Sequence, residues 1–250
     1  MTLGTLRGTH EIEHGRRLAE QDTELVWGWG TPAGRLRAER RAGQIAEGAG
    51  LGPGLRALEV GCGTGLFTQL LAASGAQILA VDISADLLER ARERGLPAGQ
   101  VRFLERRFED CDTEEPFDAV VGSSILHHLD LAAALPKLLS LLKPGGRLSF
   151  AEPNLMNPQI LVMYRFRSFF PEVSPDEEAF TRWWIEGRLR RTGFTQIRTR
   201  PFDWLHPAVP ERLIPGVRAA GAMLERVPLL REFAGSILIT ARRPAGAPQA

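Results

Sequence analysis

A glycine-rich turn is the feature of this sequence that most directly predicts chemistry. The segment Leu58 to Gly65 (LEVGCGTG) runs from a β-like stretch into closely spaced glycines and then into an apolar helix. Glycine lets the backbone approach a ligand where a Cβ would collide, and the following helix points its free N–H groups at that ligand. Asp82 ends the next β-like stretch, 17 residues after Gly65, where its carboxylate can accept hydrogen bonds from both ribose hydroxyls.

The spacing of the glycines and a nearby acid narrow the choice of ligand. A dinucleotide fold carries G-x-G-x-x-G, with a pyrophosphate at the helix end, whereas Gly61, Gly63 and Gly65 are spaced G-x-G-x-G. Glu59, two residues before the first glycine, would repel a pyrophosphate but attract an ammonium or a sulfonium. These residues favour S-adenosylmethionine over NAD. A turn that only packs helix on sheet, and an NAD-dependent oxidoreductase, remain as alternatives.

Two adjacent histidines are the candidates for acid–base chemistry. His127 and His128 follow the fourth β-like stretch, at the carboxyl edge of the predicted sheet, where ligands bind in open α/β folds. An imidazole with a near-neutral pKa suits a general base for an acceptor hydroxyl or amine. Glu152 lies beyond the fifth stretch at the same edge. We predict His127, His128 and Glu152 as catalytic candidates; the alternative is that one histidine only fastens the loop.

Alternating β-like and helical segments must position these residues. This alternation predicts an α/β fold in which helices cover a parallel sheet. The predicted strands are Leu55–Val60, Gln77–Val81, Val101–Leu104, Phe117–Val121 and Gly146–Ala151, with helices at Leu66–Ala73, Ala85–Arg94 and Leu131–Leu142. Beyond Glu152 the alternation is lost over residues 153–187, and Phe194–Arg200 and Ser236–Ala241 are predicted as two late strands.

Composition limits the class of partner. The 250 residues carry 31 basic and 30 acidic side chains, for a net charge of +1. This balance argues against a nucleic-acid or anionic-membrane partner. Arginine supplies 29 of the basic side chains, which we attribute to base composition. The basic aromatic stretch Thr181–Arg191 could suggest RNA binding, but its helical pattern favours a lid helix with inward tryptophans.

Cellular location is predicted from the cysteines and from the absence of targeting patterns. Cys62 and Cys111 are the only two cysteines and cannot build a disulfide framework. The first residues lack the apolar core of a secretory signal, and no apolar run is long enough to span a bilayer. We therefore predict a cytoplasmic protein without membrane insertion.

A zinc-peptidase pattern occurs near the start of the chain. His10-Glu11-Ile12-Glu13-His14 reads H-E-x-x-H, which on a helix can place two zinc ligands on one face. Gly15 follows directly, and no segment supplies a third ligand. An exposed, charged helical turn is the favoured interpretation, so no metal is predicted.

The ordered motifs resemble a known superfamily. The segments LEVGCGTG, AVDIS, FDAVVGSSILHHL and LLKPGGRLSFAEPN are similar to successive motifs of class I S-adenosylmethionine-dependent methyltransferases, most closely the small-molecule group that includes those of quinone biosynthesis. The resemblance covers residues 55–151 by motif and extends to Ala241 by strand pattern. It implies a Rossmann-like, seven-stranded, mostly parallel sheet with an antiparallel last strand, helices on both faces and an N-terminal helical cap.

The resemblance also implies which residues contact S-adenosylmethionine. Glu59, Gly61 and Gly63 match positions that hold the methionine part, and Cys62 between the glycines is included with them. Asp82 matches the ribose-binding acid. The remaining matches are Ile83 against the adenine, the backbone of Phe108 near the adenine amine, and Ser123 at the amino-acid end of the cofactor.

An arginine of the N-terminal segment completes the implied cofactor site. In this group an arginine four residues before an aliphatic residue commonly pairs with the cofactor carboxylate. Arg41 stands four residues before Ile45 and fits best, with Arg37 and Arg40 as alternatives. A solvated arginine face of an amphipathic helix is the competing interpretation.

Together these observations predict a methyltransferase that moves a methyl group in line to an O, N or C nucleophile of a small organic acceptor, leaving S-adenosyl-L-homocysteine. The predicted organisation is a helical cap over residues 1–54, a core over 55–242 with a lid insertion at about 153–187, and a disordered tail over 243–250. A non-catalytic S-adenosylmethionine-binding sensor or partner subunit is the alternative. The acceptor and the oligomeric state are left open.

Overall fold

One mixed sheet organises the part of the chain that the structure describes. The computed structural model describes residues 12–13, 15–17, 20–113, 115–170 and 177–246. Its seven strands lie in the order β3-β2-β1-β4-β5-β7-β6. Strands β1 to β5 pair in parallel, and β7 runs antiparallel to both of its neighbours, which confirms the predicted sheet. The strands are β1 (Arg56–Val60), β2 (Gln77–Asp82), β3 (Val101–Glu105), β4 (Phe117–Ser123), β5 (Leu142–Pro153), β6 (Thr195–Phe202) and β7 (Ser236–Arg242).

Helices cover both faces of this sheet. They are α1 (Thr23–Val26), α2 (Pro32–Ala49), α3 (Leu66–Ala72), α4 (Ala85–Glu93), α5 (Leu131–Leu141), α6 (Pro158–Arg165), α7 (Arg182–Thr192) and α8 (Ile214–Leu224). Because neighbouring strand residues point to opposite faces, Leu58 packs in one core cluster with α5 and α7, whereas Ala57 packs in the other with α2 and α3. Within the described ranges, no helix has the length and apolar character needed to cross a membrane.

Helix α2 lies directly on the sheet. The Thr31 hydroxyl caps it by accepting from the Gly34 N–H, Pro32 occupies its first turn, and Gly50 ends it with a left-handed φ of +63°. Ala42, Ile45 and Ala49, at helical spacing, are buried against β1, β4 and β5. This helix therefore holds the arginines of the N-terminal segment against the carboxyl edge of the sheet.

Strand β5 is longer than predicted. The sequence places a turn at residues 143–146 before a strand that begins at Gly146. The structure instead begins the strand at Leu142, opposite Phe117, and then pairs Arg147 with Ala119. Residues 143–146 bulge out of the pairing between β4 and β5, with Gly145 at a φ of +77°. Pairing therefore resumes at Arg147 without a separate turn.

Candidate functional site

A large cavity opens at the carboxyl ends of β1, β2 and β4. Its volume is about 710 Å³, within the range of small-molecule sites. It lies where the strand order reverses between β1 and β4, the switch point at which open α/β sheets bind ligands. The wall includes most of the residues that the sequence predicts as cofactor contacts, namely Gly61, Cys62, Gly63, Asp82, Ile83, Phe108 and Ser123.

The glycine turn has the conformation that its sequence predicts. Gly61 and Gly63 have φ values of +67° and +50°, in the region that glycine adopts without strain. The N–H groups of Gly61 and Cys62 both donate to the Val81 carbonyl, at 2.9 and 3.1 Å. A Cβ at Gly61 would lie 2.4 Å from the Ile125 side chain. The backbone is therefore bare and fixed at this part of the wall.

Asp82 joins the glycine turn to the end of β2. Its Oδ2 accepts from the Gly63 N–H at 2.7 Å, and its Oδ1 accepts from the Ser84 N–H at 2.9 Å. Burial raises the pKa of this carboxyl, and the backbone hydrogen bonds oppose that rise. Each oxygen keeps a further lone pair, so the carboxylate on the cavity wall can still accept hydrogen bonds from a ligand.

Glu59 lies behind the turn, and it is not part of the cavity wall. It is 1% exposed. Burial raises its pKa to about 7, with a small opposing effect of the Thr68 hydroxyl and a further rise from the Asp82 charge. Its Oε2 atom has no hydrogen-bond partner among the described residues. A buried carboxylate oxygen without a donor fits an ammonium group near the turn, as S-adenosylmethionine would supply.

Arg41 also lies one layer behind the wall. Its guanidinium donates to three hydroxyls, those of Ser123 at 2.9 Å, Ser236 at 2.8 Å and Ser124 at 3.0 Å. The same group also donates to the Ala151 carbonyl. Burial lowers the pKa of Arg41 to about 10, and Glu152 partly opposes this. The guanidinium thus fastens the loop after β4 instead of facing the cavity.

Arg37, one helical turn earlier, is the arginine that reaches the cavity wall. Its Nε donates to the Asp203 carboxylate at 2.8 Å, and its guanidinium carbon lies 5.2 Å from the centre of the Trp29 ring. Trp27 and Trp29 line the same part of the cavity. Arg40 instead pairs with Glu225. Of the three arginines, Arg37 has the placement that the sequence assigned to Arg41.

The loop after β4 carries backbone strain. Ser124 has a φ of +55°, which is uncommon for a residue with a Cβ. Its N–H donates to the Ala151 carbonyl at 2.8 Å, and its hydroxyl binds Arg41. Strain of this kind persists where surrounding contacts fix it, often at functional sites. Both Ser123 and Ser124 line the cavity.

Glu152 and His127 form a buried pair, of which His127 lies on the cavity wall. Glu152 Oε2 lies 2.7 Å from His127 Nδ1, and its Oε1 accepts from the N–H groups of Ile125 and Leu126, both at 3.0 Å. Burial alone would raise the pKa of Glu152, but these hydrogen bonds lower it on balance. The ionised carboxylate makes Nδ1 the protonated nitrogen, which leaves the Nε2 lone pair for other contacts.

Two further residues that approach this pair come from the segment after β5. Glu177 Oε2 lies 3.9 Å from His127 Nε2, and Glu177 Oε1 lies 3.8 Å from His128 Nδ1. The Tyr164 hydroxyl donates to Glu177 Oε2 at 2.9 Å, and burial together with Glu177 raises the pKa of Tyr164. Sequence reasoning did not single out Glu177. The candidate ligand atoms of His127, His128 and Glu177 lie within 4.8 Å of one another, a set that could also hold a cation.

Polar residues that follow β5 or lie near the start of the chain have separate placements. Asn154, at the carboxyl edge of β5, is buried and donates to the carbonyls of Glu232 and Ala234, so it joins two parts of the chain. His206 lies on the cavity wall. Of the H-E-x-x-H pattern, His10, Glu11 and His14 lie outside the described residues.

Comparison with known proteins assigns a domain type to the central part of the chain. Residues 58–148 match the family model described as a methyltransferase domain. A ubiquinone biosynthesis O-methyltransferase of Xylella fastidiosa (strain 9a5c) is 43% identical over 99 residues, which are 38% of this chain and 40% of that protein. One of Xanthomonas campestris pv. campestris (strain B100) is 41% identical over 106 residues, covering 41% of this chain and 44% of that protein. The chain thus spans less than half the length of these curated relatives.

Solved structures align with most of the chain. The N-methyltransferase NodS from Bradyrhizobium japonicum WM9, in complex with S-adenosyl-l-homocysteine, aligns with a TM-score of 0.64 at 18% identity and covers 93% of this chain and 98% of that chain. The (4+2)-cyclase SpnF aligns with a TM-score of 0.59 at 23% identity, covering 83% and 81%. At these identities the likeness shows the fold. The chain carries a class I S-adenosylmethionine-dependent methyltransferase domain, with partial and distant similarity to the ubiquinone biosynthesis O-methyltransferases.

Proposed function

We propose that this chain transfers a methyl group from S-adenosylmethionine to a hydroxyl or amine of a small organic acceptor. The observation that carries the proposal is one cavity whose wall includes the glycine turn, Asp82 and His127, with Glu152 holding the His127 ring. The turn and Asp82 are suited to a nucleoside, and His127 is suited to an acceptor that loses a proton. Methyl transfer requires these two groups side by side.

The cofactor supplies the activated methyl group on its sulfonium, and this chain supplies its binding site. Asp82 is proposed to accept hydrogen bonds from the ribose hydroxyls, with Ile83 and Phe108 beside the adenine. The bare backbone of Gly61 and Gly63 allows close approach of the methionine part. Glu59 is proposed to balance the ammonium through the turn.

Arg37 is proposed to face the cofactor carboxylate in place of Arg41. Arg37 lies on the cavity wall, whereas Arg41 is not part of that wall and its described hydrogen bonds go to three serine hydroxyls and the Ala151 carbonyl. Arg41 is then a positioning residue, because it holds Ser123 and Ser124 in place. Its positive charge still favours an anion on the other side of these serines.

His127 is proposed as the general base. The Glu152 carboxylate holds the Nδ1 proton, so the Nε2 lone pair is free to take a proton from the acceptor. The imidazolium that forms is stabilised by the same carboxylate, as in other carboxylate–histidine pairs. Proton removal from a hydroxyl or an amine fits this base better than attack by carbon, so oxygen and nitrogen acceptors are favoured.

The acceptor is proposed to be a small, partly apolar molecule. Glu177 presents a carboxylate near His127 and His128, which attracts an acceptor that donates more than one hydrogen bond. Side chains of the segments after β5 form an apolar wall beside these polar groups, namely Ile160, Met163, Trp204, Leu205 and Pro207. Most of the lining is apolar with a few convergent polar groups, the usual character of a small-molecule site.

Calorimetry tests cofactor binding directly. S-adenosylhomocysteine is expected to bind the purified chain at neutral pH with one site, and absence of binding would remove the proposal. Turnover is then measured with a panel of phenols, catechols and amines by release of S-adenosylhomocysteine.

A non-catalytic S-adenosylmethionine-binding sensor is the second candidate. The structural likeness to SpnF, which is named as a cyclase, illustrates that the fold alone does not determine methyl transfer. Cofactor binding without turnover on any acceptor of the panel would favour the sensor. We also propose a cytoplasmic location, because the two free cysteines, Cys62 and Cys111, are both buried and fit a reducing compartment.

The division of the chain is likewise proposed from the sequence. Residues 1–54 are proposed to form the cap, 55–242 the core and about 153–187 the substrate lid. Helix α2 supports only part of this division, since it packs on the sheet and also carries Arg37 on the cavity wall.

A further inference from the structure

A second groove lies on the sheet face that carries α2, and it shares no lining residue with the cofactor cavity. Its volume is about 470 Å³. The C-terminal half of α2 forms one side, and three neighbouring strands, β5, β7 and β6, form the floor. The lining residues are Gln44, Glu47, Gly48, Arg147, Gln196, Arg198, Arg200, Leu238, Thr240, Ala241 and Arg242.

Four arginines meet in this groove. Arg147 on β5 lies directly opposite Arg242 on β7, and Arg198 on β6 lies opposite Thr240, two residues before Arg242. Arg200 follows Arg198 at the spacing that returns to the same face. Like charges directly opposite each other in a sheet repel. Four guanidinium groups on one face therefore repel one another, at a cost that solvent reduces at the exposed Arg198 and Arg200 and that a bound anion would offset.

Little of this positive charge is balanced by the chain. Among the described residues, none of the four guanidinium groups has a hydrogen bond or an ion pair, and Glu47 is the only acid that lines the groove. Arg147 lies against the end of α2, where a Cβ at Gly50 would be 2.2 Å from its Nη1 atom. The C-terminal end of α2 carries a partial negative charge, which compensates part of the positive charge of Arg147. The other three arginines have no such compensation.

One residue of the groove lining has a buried polar atom without a partner among the described residues. Gln44 Oε1 is buried and lacks a hydrogen-bond partner in the described part of the chain, and Gln44 lines the groove. The oxygen and nitrogen of such an amide are interchangeable by a flip. The side chain can therefore donate to an anion as well as accept from a donor.

We propose that this groove binds a ligand that bears two or more adjacent phosphate groups. Guanidinium groups bind phosphate oxygens in bidentate pairs. Strands lie about 4.8 Å apart, so arginines on three neighbouring strands span about 10 Å, which suits two phosphates better than one. The groove has the volume of a small-ligand site, and the net charge of +1 lacks the excess that a nucleic-acid surface carries. The arginine excess, attributed to composition from the sequence, thus has a local function here.

Calorimetry at about 0.15 M salt, where distant charges are screened, tests this proposal. The full chain is saturated with S-adenosylhomocysteine and titrated with inorganic pyrophosphate, with ADP and with a single-stranded oligonucleotide. The groove variant is Arg198→Gln/Arg200→Gln. The control variant, Arg190→Gln/Arg191→Gln, removes the same charge from exposed positions of α7, outside the groove.

Saturable binding of pyrophosphate and ADP is expected, weakened about tenfold or more in the groove variant and unchanged in the control. Equal affinities for both would identify the phosphates alone as the ligand, and tighter binding of ADP would identify a nucleotide. Absence of binding, equal weakening by both variants, or binding of the oligonucleotide alone would overturn the proposal. Unchanged melting temperatures and S-adenosylhomocysteine affinity show that the variants are folded. Since the two sites share no residue, the failure of either proposal leaves the other intact.

Discussion

The carboxylate of Glu152 holds the imidazole of His127 through a buried contact of 2.7 Å between Oε2 and Nδ1. The other oxygen of the same carboxylate accepts two backbone N–H groups, from Ile125 and Leu126. One side chain therefore fixes both the path of the loop after β4 and the orientation of the ring. The imidazole ring is therefore oriented before any ligand binds.

Replacement of His127 tests its proposed role as the base. His127→Gln is expected to lower turnover by about 10²- to 10⁴-fold, the usual contribution of general base catalysis, and to leave the dissociation constant of S-adenosylhomocysteine unchanged. Glu152 holds His127, and not His128, in the 2.7 Å contact. The variant His128→Gln is therefore expected to retain more activity than His127→Gln. Turnover and calorimetry on the same samples separate the two quantities. Undiminished turnover in His127→Gln would show that no base is needed at this position.

Removal of the Asp82 carboxylate tests the ribose contact. Asp82→Ala is expected to raise the dissociation constant of S-adenosylhomocysteine about 10- to 100-fold, because hydrogen bonds to a charged group contribute about 1.5–3 kcal/mol. Asp86→Ala, at an exposed position in the first turn of α4, is the matched control. The Asp82→Ala variant also loses the hydrogen bond from the Gly63 N–H. The melting temperatures of both variants show whether this loss has destabilised the fold. Equal affinity in Asp82→Ala and the control would refute the ribose assignment.

Cofactor binding is expected to release a proton from Glu59. Burial raises its pKa to about 7, so the carboxyl is mostly protonated at pH 6 in the free protein, and an ammonium nearby favours the ionised form. Calorimetry at pH 6 in buffers of different ionisation enthalpy is expected to report release of close to one proton. Glu59→Gln is expected to abolish it. The same release in wild type and variant would assign the proton to another group.

The same pKa shift affects the stability of the free protein. Because folding raises the pKa of Glu59 above its unfolded value of about 4.3, the protonated carboxyl contributes stability that is complete below that value. This contribution is lost as the pH rises through about 7. Urea unfolding of Glu59→Gln should therefore lose the decline in stability that wild type shows between these two pH values.

The roles proposed for Arg37 and Arg41 are distinguished by a ligand that lacks the amino-acid part of the cofactor. Arg37→Gln is expected to weaken binding of S-adenosylhomocysteine several-fold, with no effect on 5′-methylthioadenosine. Arg41→Gln is expected to lower the melting temperature, because Ser123, Ser124 and Ser236 each lose a buried donor. The opposite pattern, in which Arg41→Gln acts on S-adenosylhomocysteine alone, would restore Arg41 as the direct contact.

Chelation tests whether His127, His128 and Glu177 hold a metal ion. We expect turnover to survive dialysis against EDTA, because Tyr164 already donates to Glu177 and Glu152 keeps the His127 ring oriented for proton transfer. Loss of turnover that a divalent cation restores would instead make these three residues a metal site. Melting temperature with and without EDTA is a second readout that does not depend on activity.

The cofactor end of the site could be predicted from the sequence because its determinants are local. A strand, a turn at left-handed φ and a helix start are encoded within a few residues, so Gly61, Gly63 and Asp82 could be placed without knowledge of distant contacts. Ser84 likewise caps α4 as its sequence position indicates, accepting from the Leu87 N–H at 3.4 Å. In such segments the residues that set the backbone conformation are also the residues predicted to contact the ligand.

The acceptor end could not be predicted in the same way. Glu177 meets His127 across 50 residues of chain, after the βα alternation has ended, so no periodic signal indicates the contact. The choice between Arg37 and Arg41 has a different cause. Both lie on one face of α2, a turn apart, and the groups that hold each guanidinium come from distant parts of the chain, Ser123 and Ser236 for Arg41 and Asp203 for Arg37.

The hydrogen bonds of Arg41 also join segments that are synthesised far apart along the chain. Its acceptors come from β4, β5 and β7, and the hydroxyl of Ser236 lies 195 residues further along the chain. Proteins are made from the N-terminus and fold as segments become available. A chain from which only β1 to β5 have emerged lacks Ser236, so one of the four acceptors of the buried Arg41 guanidinium is missing. The guanidinium has its full set of partners only once β7 is in place.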